Sequence, residues 1–517
     1  MNLYDKVIYQ IYPKSFKDTT GNGMGDIKGI TKKIPYLNNL GVDMIWISPI
    51  FLSPQVDNGY DVEDYCKIDP IYGNMDDVEK LILKAKEYNI DIMFDMVFNH
   101  TSTKHEWFQK ALKGDKKYMD YYIFKDKPTN WESKFGGNAW EYVEHLDKYY
   151  LHLFDKTQAD LNWENDEVKE ELVKVLNFWL EKGIRGFRFD VINLISKPNK
   201  FLSDDSDGRH FYTDGEKVVE YLQYLNKNAL CKYDTLTVGE MSSTSIENCI
   251  KYSNKNMNTL DMTFSFVHLK LDYIDNNKWT LGNINIKDMK QLINQWQVGM
   301  NQNEGVNALF WSNHDQPRIV SRMGNTDDYH FESATAIAAT TMLLKGVPFI
   351  YQGEEIGIGN AGFTTIDEYK DIESINFFNN SKLDSKTKLD ILQQKSRDNG
   401  RTPMLWEEGF TTGTPWIEES KIKYGIDTKQ NILDFYKKLV KLKKTNIIIQ
   451  EGDFVMLDTN DNVFAFKRTY KKESIYVYIN LSNKDELIKL EEGNTLLNNY
   501  KDNIKGLLRP FEIIVIN

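Results

Sequence analysis

The stretch GIRGFRFDVINLI, Gly183 to Ile195, decides how this chain is read, because it sets Arg188 and Asp190 inside what is otherwise a buried strand. Alternate residues of a strand share a face, so Arg188 and Asp190 point one way while Phe187, Phe189 and Val191 point the other. If the phenylalanines fill a layer between a sheet and its covering helices, both charges project into the open end of a barrel. There the pair neutralises itself.

Seven further apolar, β-branched or aromatic runs accompany this one. They are VIYQIYP from Val7, VDMIWISP from Val42, DIMFDMVFNH from Asp91, TLTVGE from Thr235, TLDMTFSF from Thr259, NALFWSNHD from Asn307 and VPFIYQGEE from Val347. Amphipathic helical patterns lie between most of them, among them DIKGITKKIPYLNNLG, MDDVEKLILKAKEYN, EVKEELVKVLNFWLEKG and FESATAIAATTMLLKG. Eight strands alternating with helices predict an α/β fold, a parallel (β/α)8 TIM barrel. No Gly-x-Gly-x-x-Gly follows the first strand, which weakens the doubly wound alternative.

The alternation breaks over 101–164, a segment dense in aromatics and glycines (NWESKFGGNAWEY, KYYLHLFDKTQADLNW). It reads as a subdomain inserted after the third strand, on the face where barrels keep their chemistry. A helical stretch near Ile432–Lys444 follows the last barrel strand, and DFVML, VFAFKRTY, SIYVYINL and FEIIVI then predict a C-terminal antiparallel β domain. The expected division is a barrel of 1–100 and 165–445, the insertion 101–164 and the β domain 446–517.

Apolar residues make up 41% and charged residues 27%, the balance of a soluble globular protein. No 18-residue apolar run occurs and the N-terminus lacks a signal-peptide pattern, so a cytoplasmic protein is expected. Cys66, Cys231 and Cys249 are an odd count without metal-ligand spacing and read as reduced, structural thiols. The net charge of −12 opposes partnership with nucleic acid or an anionic membrane. An anionic small molecule would need a few local cations set against that field.

The charged strand end recurs. Glu240 ends TLTVGE, Asp315 ends NALFWSNHD, and Asp95 and His100 lie in and just past DIMFDMVFNH. Carboxylates converging on one end of a barrel cost several kcal/mol per unpaired ion, roughly, so stability alone does not select them. In a mouth lined with Trp and Tyr they suit sugar chemistry, where aromatic faces stack on pyranose rings and hydrolysis uses one ionised and one protonated carboxyl. Arg188 is expected to keep Asp190 ionised as nucleophile, while apolar and acidic surroundings raise Glu240 as general acid. Metal-assisted hydrolysis competes, but no HExxH motif or clustered histidine pair is present.

DMVFNH, GFRFDVINL, VGE and SNHDQPR, in this order, resemble the four signature regions of the α-amylase superfamily, glycoside hydrolase family 13. The resemblance spans essentially the whole chain and implies a retaining mechanism with Asp190 as nucleophile, Glu240 as acid/base and Asp315 as a third carboxylate that orients sugar hydroxyls. It further implies that His100, His314, Arg188 and Phe154 contact the glucose in the −1 subsite. Asp57 and Tyr60 in QVDNGYDVEDY, with Arg401 in RDNGRTPM, would close that subsite behind the terminal glucose and make the enzyme exo-acting. DTTGNGMGD resembles the calcium loop of related oligo-glucosidases, with Asp18, Thr20, Asn22, the Met24 carbonyl and Asp26 as ligands; the alternative is a glycine-rich turn closed by Asx hydrogen bonds. No cofactor is implied for the chemistry, and structural Ca²⁺ is the one ion implied.

Within the superfamily, NWESKFGGNAWEY, DGRHFYTDG, TVGEMSSTS, LDMTFSFVHLKLDY and KSRDNGRTPM resemble a phospho-α-(1,1)-glucosidase, with the oligo-1,6-glucosidases as the rival branch that Val191 resembles. The implied partner is a small phosphorylated disaccharide, split into glucose and glucose 6-phosphate. Because a closed −1 subsite has no space for phosphate, its cations would sit on the leaving-group side: Lys270, then Lys134 and Arg209. TDGEKV and TPMLW depart from the family's TDGPRV and TPMQW, and Leu405 could alter the support of Arg401. A catalytically silent scaffold is the non-enzymatic alternative, and the intact Asp190, Glu240 and Asp315 argue against it.

Overall fold

A computed structural model describes residues 2–422 and 424–517. Eight parallel strands form the central sheet: β1 (Ile8–Ile11), β2 (Met44–Ile47), β3 (Asp91–Met96), β4 (Gly186–Phe189), β5 (Leu236–Met241), β6 (Met262–Ser265), β7 (Ala308–Leu309) and β8 (Val347–Tyr351). They lie in the order β6-β5-β4-β3-β2-β1-β8-β7, and the bridge from Thr263 to Asn307 closes β6 onto β7 as a barrel. All eight runs read from the sequence are strands. β7 is only two residues long, since the chain from Phe310 onward leaves the ladder to build the barrel mouth.

The period of two separates two cores. Ile8, Met44, Trp46, Met93, Leu236, Val238, Met262, Phe264, Phe310, Val347 and Phe349 fill the barrel interior. Tyr9, Ile11, Ile45, Ile47, Ile92, Phe94, Phe187 and Phe189 face outward into the larger core shared with the helices. Those helices include α1 (Ile27–Leu40), α2 (Met75–Glu87), α3 (Asp166–Lys182), α4 (Val218–Asn228), α5 (Ile246–Ser253), α6 (Ile286–Gln302), α7 (His330–Met342) and α8 (Ile426–Thr445). Their ends are specified locally: Asp26 caps α1, an Asn74–Asp77 capping box opens α2, and Asn165 opens α3. No described helix is long and apolar enough to cross a membrane.

Three excursions decorate the C-terminal end of the barrel. A short antiparallel pair, Phe51–Leu52 with Asp64–Ile68, carries the loop of Asp57 and Tyr60, an element the sequence reading did not separate from the barrel. The predicted insertion contains the three-stranded sheet of Phe124–Lys125, Lys148–Leu151 and Trp140–Val143, and it is stitched to the barrel where His100–Ser102 pairs with Gln158–Asp160. After β8 a long run of short helices brings in Arg397 and Arg401 before α8, which is longer than the predicted Ile432–Lys444. The C-terminal β domain is a five-stranded antiparallel sheet preceded by a helical turn at Ile447–Glu451.

Two expectations need correction. Val191 does not continue the alternation: it turns left-handed at φ 37° and packs with Trp131, Ala139 and Leu194 of the insertion side. Cys66 and Cys249 are partly or wholly buried, but Cys231 is exposed and so is not a core thiol.

Candidate active site

Along the inward face of the barrel, apolar residues give way to charged ones at the C-terminal strand ends. Arg188 is level with Asp95 in the β4–β3 register, and both point inward, so strand pairing alone brings them together. The buried guanidinium binds three carboxylates: Nη1 donates to Asp95 Oδ1 at 2.7 Å and to Asp190 Oδ1 at 2.6 Å, and Nη2 donates to Glu240. Asp95 also accepts from Trp46 Nε1 at 3.1 Å and from the Tyr60 hydroxyl at 2.9 Å. Sequence placed Asp95 in the mouth without this role; it is an inner anchor for Arg188.

The carboxyls on this guanidinium are not equivalent. Burial raises Glu240 well above the ordinary glutamate value, Arg188 opposes the rise, and Asp190 and Asp315 add to it. Burial therefore favours the protonated form of Glu240, the form a general acid needs. Sharing one guanidinium brings the Asp190 and Glu240 carboxyls to the same point of the mouth.

Asp315 faces them with a side chain 36% exposed. Burial acts to raise its carboxyl, but His314, Arg397 and Arg401 outweigh that and hold it well below the usual range. Arg401 Nη2 donates to Asp315 Oδ1 at 2.8 Å and Arg397 Nη1 to the same oxygen at 3.2 Å, while Arg397 Nε and Nη2 also hold Asp371. His314 is stacked with Tyr60 at 5.2 Å and with Tyr12 at 6.0 Å. Gln10 Nε2 donates to its Nδ1 at 2.8 Å, which assigns the proton to Nε2, a nitrogen left without a hydrogen-bond partner beside Asp315. Burial takes this imidazole down to about 3, so it is a neutral donor.

The remaining −1 candidates gather around the same hollow. Asp57 accepts from Gln158 Nε2 at 3.0 Å, and burial pushes its carboxyl up to about 7. His100 lies between Asn99 and the Tyr60 carbonyl, and Phe154 packs on its ring at 5.1 Å. Arg401, expected beside Asp57, bonds instead to Asp315 and to the His314 carbonyl at 2.9 Å. Of the two guanidiniums, Arg397 acts on Asp57 more strongly. Arg397 was not singled out from the sequence, although SRDNGR spaces two arginines one helical turn apart on what is the helix Asp398–Arg401 and its N-cap. Gln10, Tyr12, Gln158 and Asp371 were missed as well, and no motif marks them.

On the other side of Glu240 the three phosphate candidates come together. Burial, then Arg209 and Lys270, push the Lys134 ammonium down to about 8; burial, then Arg209, lower that of Lys270. Lys134 Nζ donates to Ser242 Oγ at 3.0 Å, two residues past Glu240. Lys134 and Lys270 make no ion pair among the described residues, and Arg209 pairs with Asp207 at 3.1 Å.

In the Asp18–Asp26 loop the candidate calcium ligands Asp18, Asn22 and Asp26 are engaged as hydrogen-bond acceptors. Asp18 accepts from the amides of Thr20, Gly21 and Gly23 and from the Thr411 hydroxyl; Asp26 accepts from Thr19 and Gly29; and Asn22 accepts from Met24. The oxygens that would ligate a metal close the turn and cap α1, which is the Asx alternative. No group of three or more His, Cys, Asp or Glu among the described residues could hold a metal ion.

A barrel of this form, with three carboxylates around one guanidinium and a fourth opposite, defines the class. Residues 10–452 match the family model described as "Alpha amylase, catalytic domain", and the chain belongs to the alpha-amylase family. It is 46% identical to the trehalose-6-phosphate hydrolase of Bacillus subtilis strain 168 over 98% of this chain and 97% of that one. It is 41% identical to the oligo-1,6-glucosidase of Bacillus cereus over 99% and 98%. A crystal structure of a mutant Bacillus licheniformis trehalose-6-phosphate hydrolase in complex with PNG superposes with a TM-score of 0.96 at 45% identity, covering 99% of this chain and 98% of that one.

Proposed function

We propose that the protein hydrolyses α,α-trehalose 6-phosphate to glucose and glucose 6-phosphate as a retaining, exo-acting α-glucosidase. The carrying observation is the one guanidinium shared by Asp190 and by Glu240, whose carboxyl burial pushes toward the protonated form. Asp190 attacks the anomeric carbon as Glu240 delivers its proton to the glycosidic oxygen, giving a β-glucosyl ester on Asp190 and free glucose 6-phosphate. Glu240, now ionised, takes a proton from water as that water displaces Asp190, and both carboxyls return to their starting states. Asp315, held by Arg401, and the His314 Nε2–H bind sugar hydroxyls, and Asp57 and Tyr60 close the pocket to longer chains.

The phosphate assignment rests on the cations beyond Glu240. Lys134, Arg209 and Lys270 are held together against mutual repulsion, with Asp207 as the acid beside them, and a phosphate dianion would relieve that repulsion by charge-assisted hydrogen bonds. The name of the Bacillus subtilis relative agrees, whereas an oligo-1,6-glucosidase has no use for such a cluster. Three free cysteines suit a reducing, cytoplasmic setting. Initial rates on trehalose 6-phosphate, trehalose and isomaltose test the proposal. We expect kcat/KM for the phosphorylated substrate to exceed both others by at least about tenfold, one charge-assisted contact's worth. A preference for isomaltose would make the protein an oligo-1,6-glucosidase.

A further inference from the structure

The reacting carboxylates sit on separate strands, and something must fix the gap between the turns that follow them. Past the nucleophile, Val191 is held at φ 37° and ψ 40°, a conformation costing a β-branched residue about 1–3 kcal/mol, which persists only where surrounding structure imposes it. Two residues on, the fully buried Asn193 reaches across to the turn after Glu240. Its Oδ1 accepts from the Ser242 amide at 2.9 Å, and its Nδ2 donates to the Ser242 carbonyl at 3.1 Å. This two-point clasp joins Asp190 plus three to Glu240 plus two.

Asp214 locks the clasp from behind. Its amide donates to the Asn193 carbonyl at 2.9 Å, and its Oδ1 accepts from Asn193 Nδ2 at 3.0 Å and from the Tyr252 hydroxyl at 2.9 Å. Oδ2 accepts from Thr244 Oγ1 and from Asn248 Nδ2, each at 2.9 Å. One carboxylate thus gathers the nucleophile turn, the acid turn and helix α5 using neutral donors alone. The neighbouring Gly215 allows the approach: a Cβ there would stand 2.3 Å from the Ser196 carbonyl. The clasp also carries the leaving-group side, because Lys134 is bonded to Ser242 Oγ.

We infer that Asn193 and Asp214 are positioning residues that set the separation between Asp190 and Glu240, and so govern the chemical step rather than sugar binding. The inference rests on the reading of Asp190 and Glu240 as the reacting pair. In Asn193→Ala the two turns part, and kcat falls on the order of 10²-fold, the cost of a misplacement of about 1 Å, with KM changed less than about threefold. Because contact with Asp190 helps keep Glu240 protonated, the alkaline limb of the pH–rate profile also moves to lower pH. Thr244→Val removes one donor on the acid side without changing shape, and moves kcat and the limb the same way by a smaller, several-fold step. It carries the test should Asn193→Ala not fold. Folded fractions are measured by thermal melts. An alkaline limb that stays in place, with kcat falling only as folded protein is lost, overturns the inference. Asp190→Asn and Glu240→Gln separate the two layers: if both remain active the reading of the pair fails, and if both are inactive while the limb is fixed only the positioning role fails.

Discussion

Charges gather in two regions of this molecule, and they are treated oppositely. At the barrel centre the carboxyls have donors: Arg188 serves Asp95, Asp190 and Glu240, and Arg397 and Arg401 serve Asp315. At the rim, Lys134 and Lys270 make no ion pair among the described residues, Lys270 and Arg209 press on Lys134, and Arg209 presses on Lys270. Compensated charge is what fixes geometry in a low-dielectric interior, since breaking a buried pair leaves an ion costing about 3–5 kcal/mol. Uncompensated charge of one sign near the surface is cheap enough to keep and valuable only to an anion that arrives. On the proposed reading the centre holds atoms still, and the rim receives the anion.

Asp190→Asn strikes the centre where its geometry does chemistry, and should show the largest effect. We expect kcat on every substrate, phosphorylated or not, to fall by about 10⁴-fold or more, with KM little altered. Full activity in this variant would move the reacting centre elsewhere. Lys270→Ala strikes the rim and should break the symmetry between substrates. KM for trehalose 6-phosphate rises about 10–100-fold, the loss of one charge-assisted contact of about 1.5–3 kcal/mol, while an aryl α-glucoside is hydrolysed as before. Equal losses on both substrates would mean that the rim and the centre are not separate in function.

Much of the centre was legible in the sequence because a strand's period of two is rigid. Once GFRFD is a strand with its phenylalanines in the helix layer, Arg188 and Asp190 must face the mouth, and the registers of β3 and β5 supply Asp95 and Glu240. Legibility stops where the period stops. Val191 was assigned to the helix-facing layer because nothing in DVINL announces a left-handed turn at a β-branched residue. Asn193 and Asp214 are ordinary polar residues whose importance lies in partners on other loops, which no local pattern encodes. Arg397 sits in the long excursion after β8, where no strand or long helix dictates which way a side chain points. The rim cations could be named individually from the sequence, but their convergence is a property of three loops folded together.

The finest test of the difference between the regions uses pH, because the two respond through different groups. Burial and the neighbouring cations Arg209 and Lys270 bring Lys134 down to about 8, so above that pH the free protein loses one cation from the rim. The substrate phosphate is already a dianion there, its second pKa lying near 6, so substrate ionisation does not contribute. Glu240 also loses its proton as pH rises, and that lowers kcat/KM for every α-glucoside alike. The ratio of kcat/KM for trehalose 6-phosphate to that for an aryl α-glucoside cancels the shared loss and isolates Lys134. We expect this ratio to be flat below about pH 7.5 and to fall several-fold by about pH 9. Once phosphate is bound it opposes deprotonation, so kcat at saturation keeps no such break. Lys134→Arg, whose charge does not titrate in this range, should restore a flat ratio whatever it does to the absolute rate. A ratio that still bends in this variant would place the titrating group elsewhere on the rim, and a flat ratio in the native protein would remove Lys134 from the phosphate's neighbourhood and leave Lys270 and Arg209 to hold it.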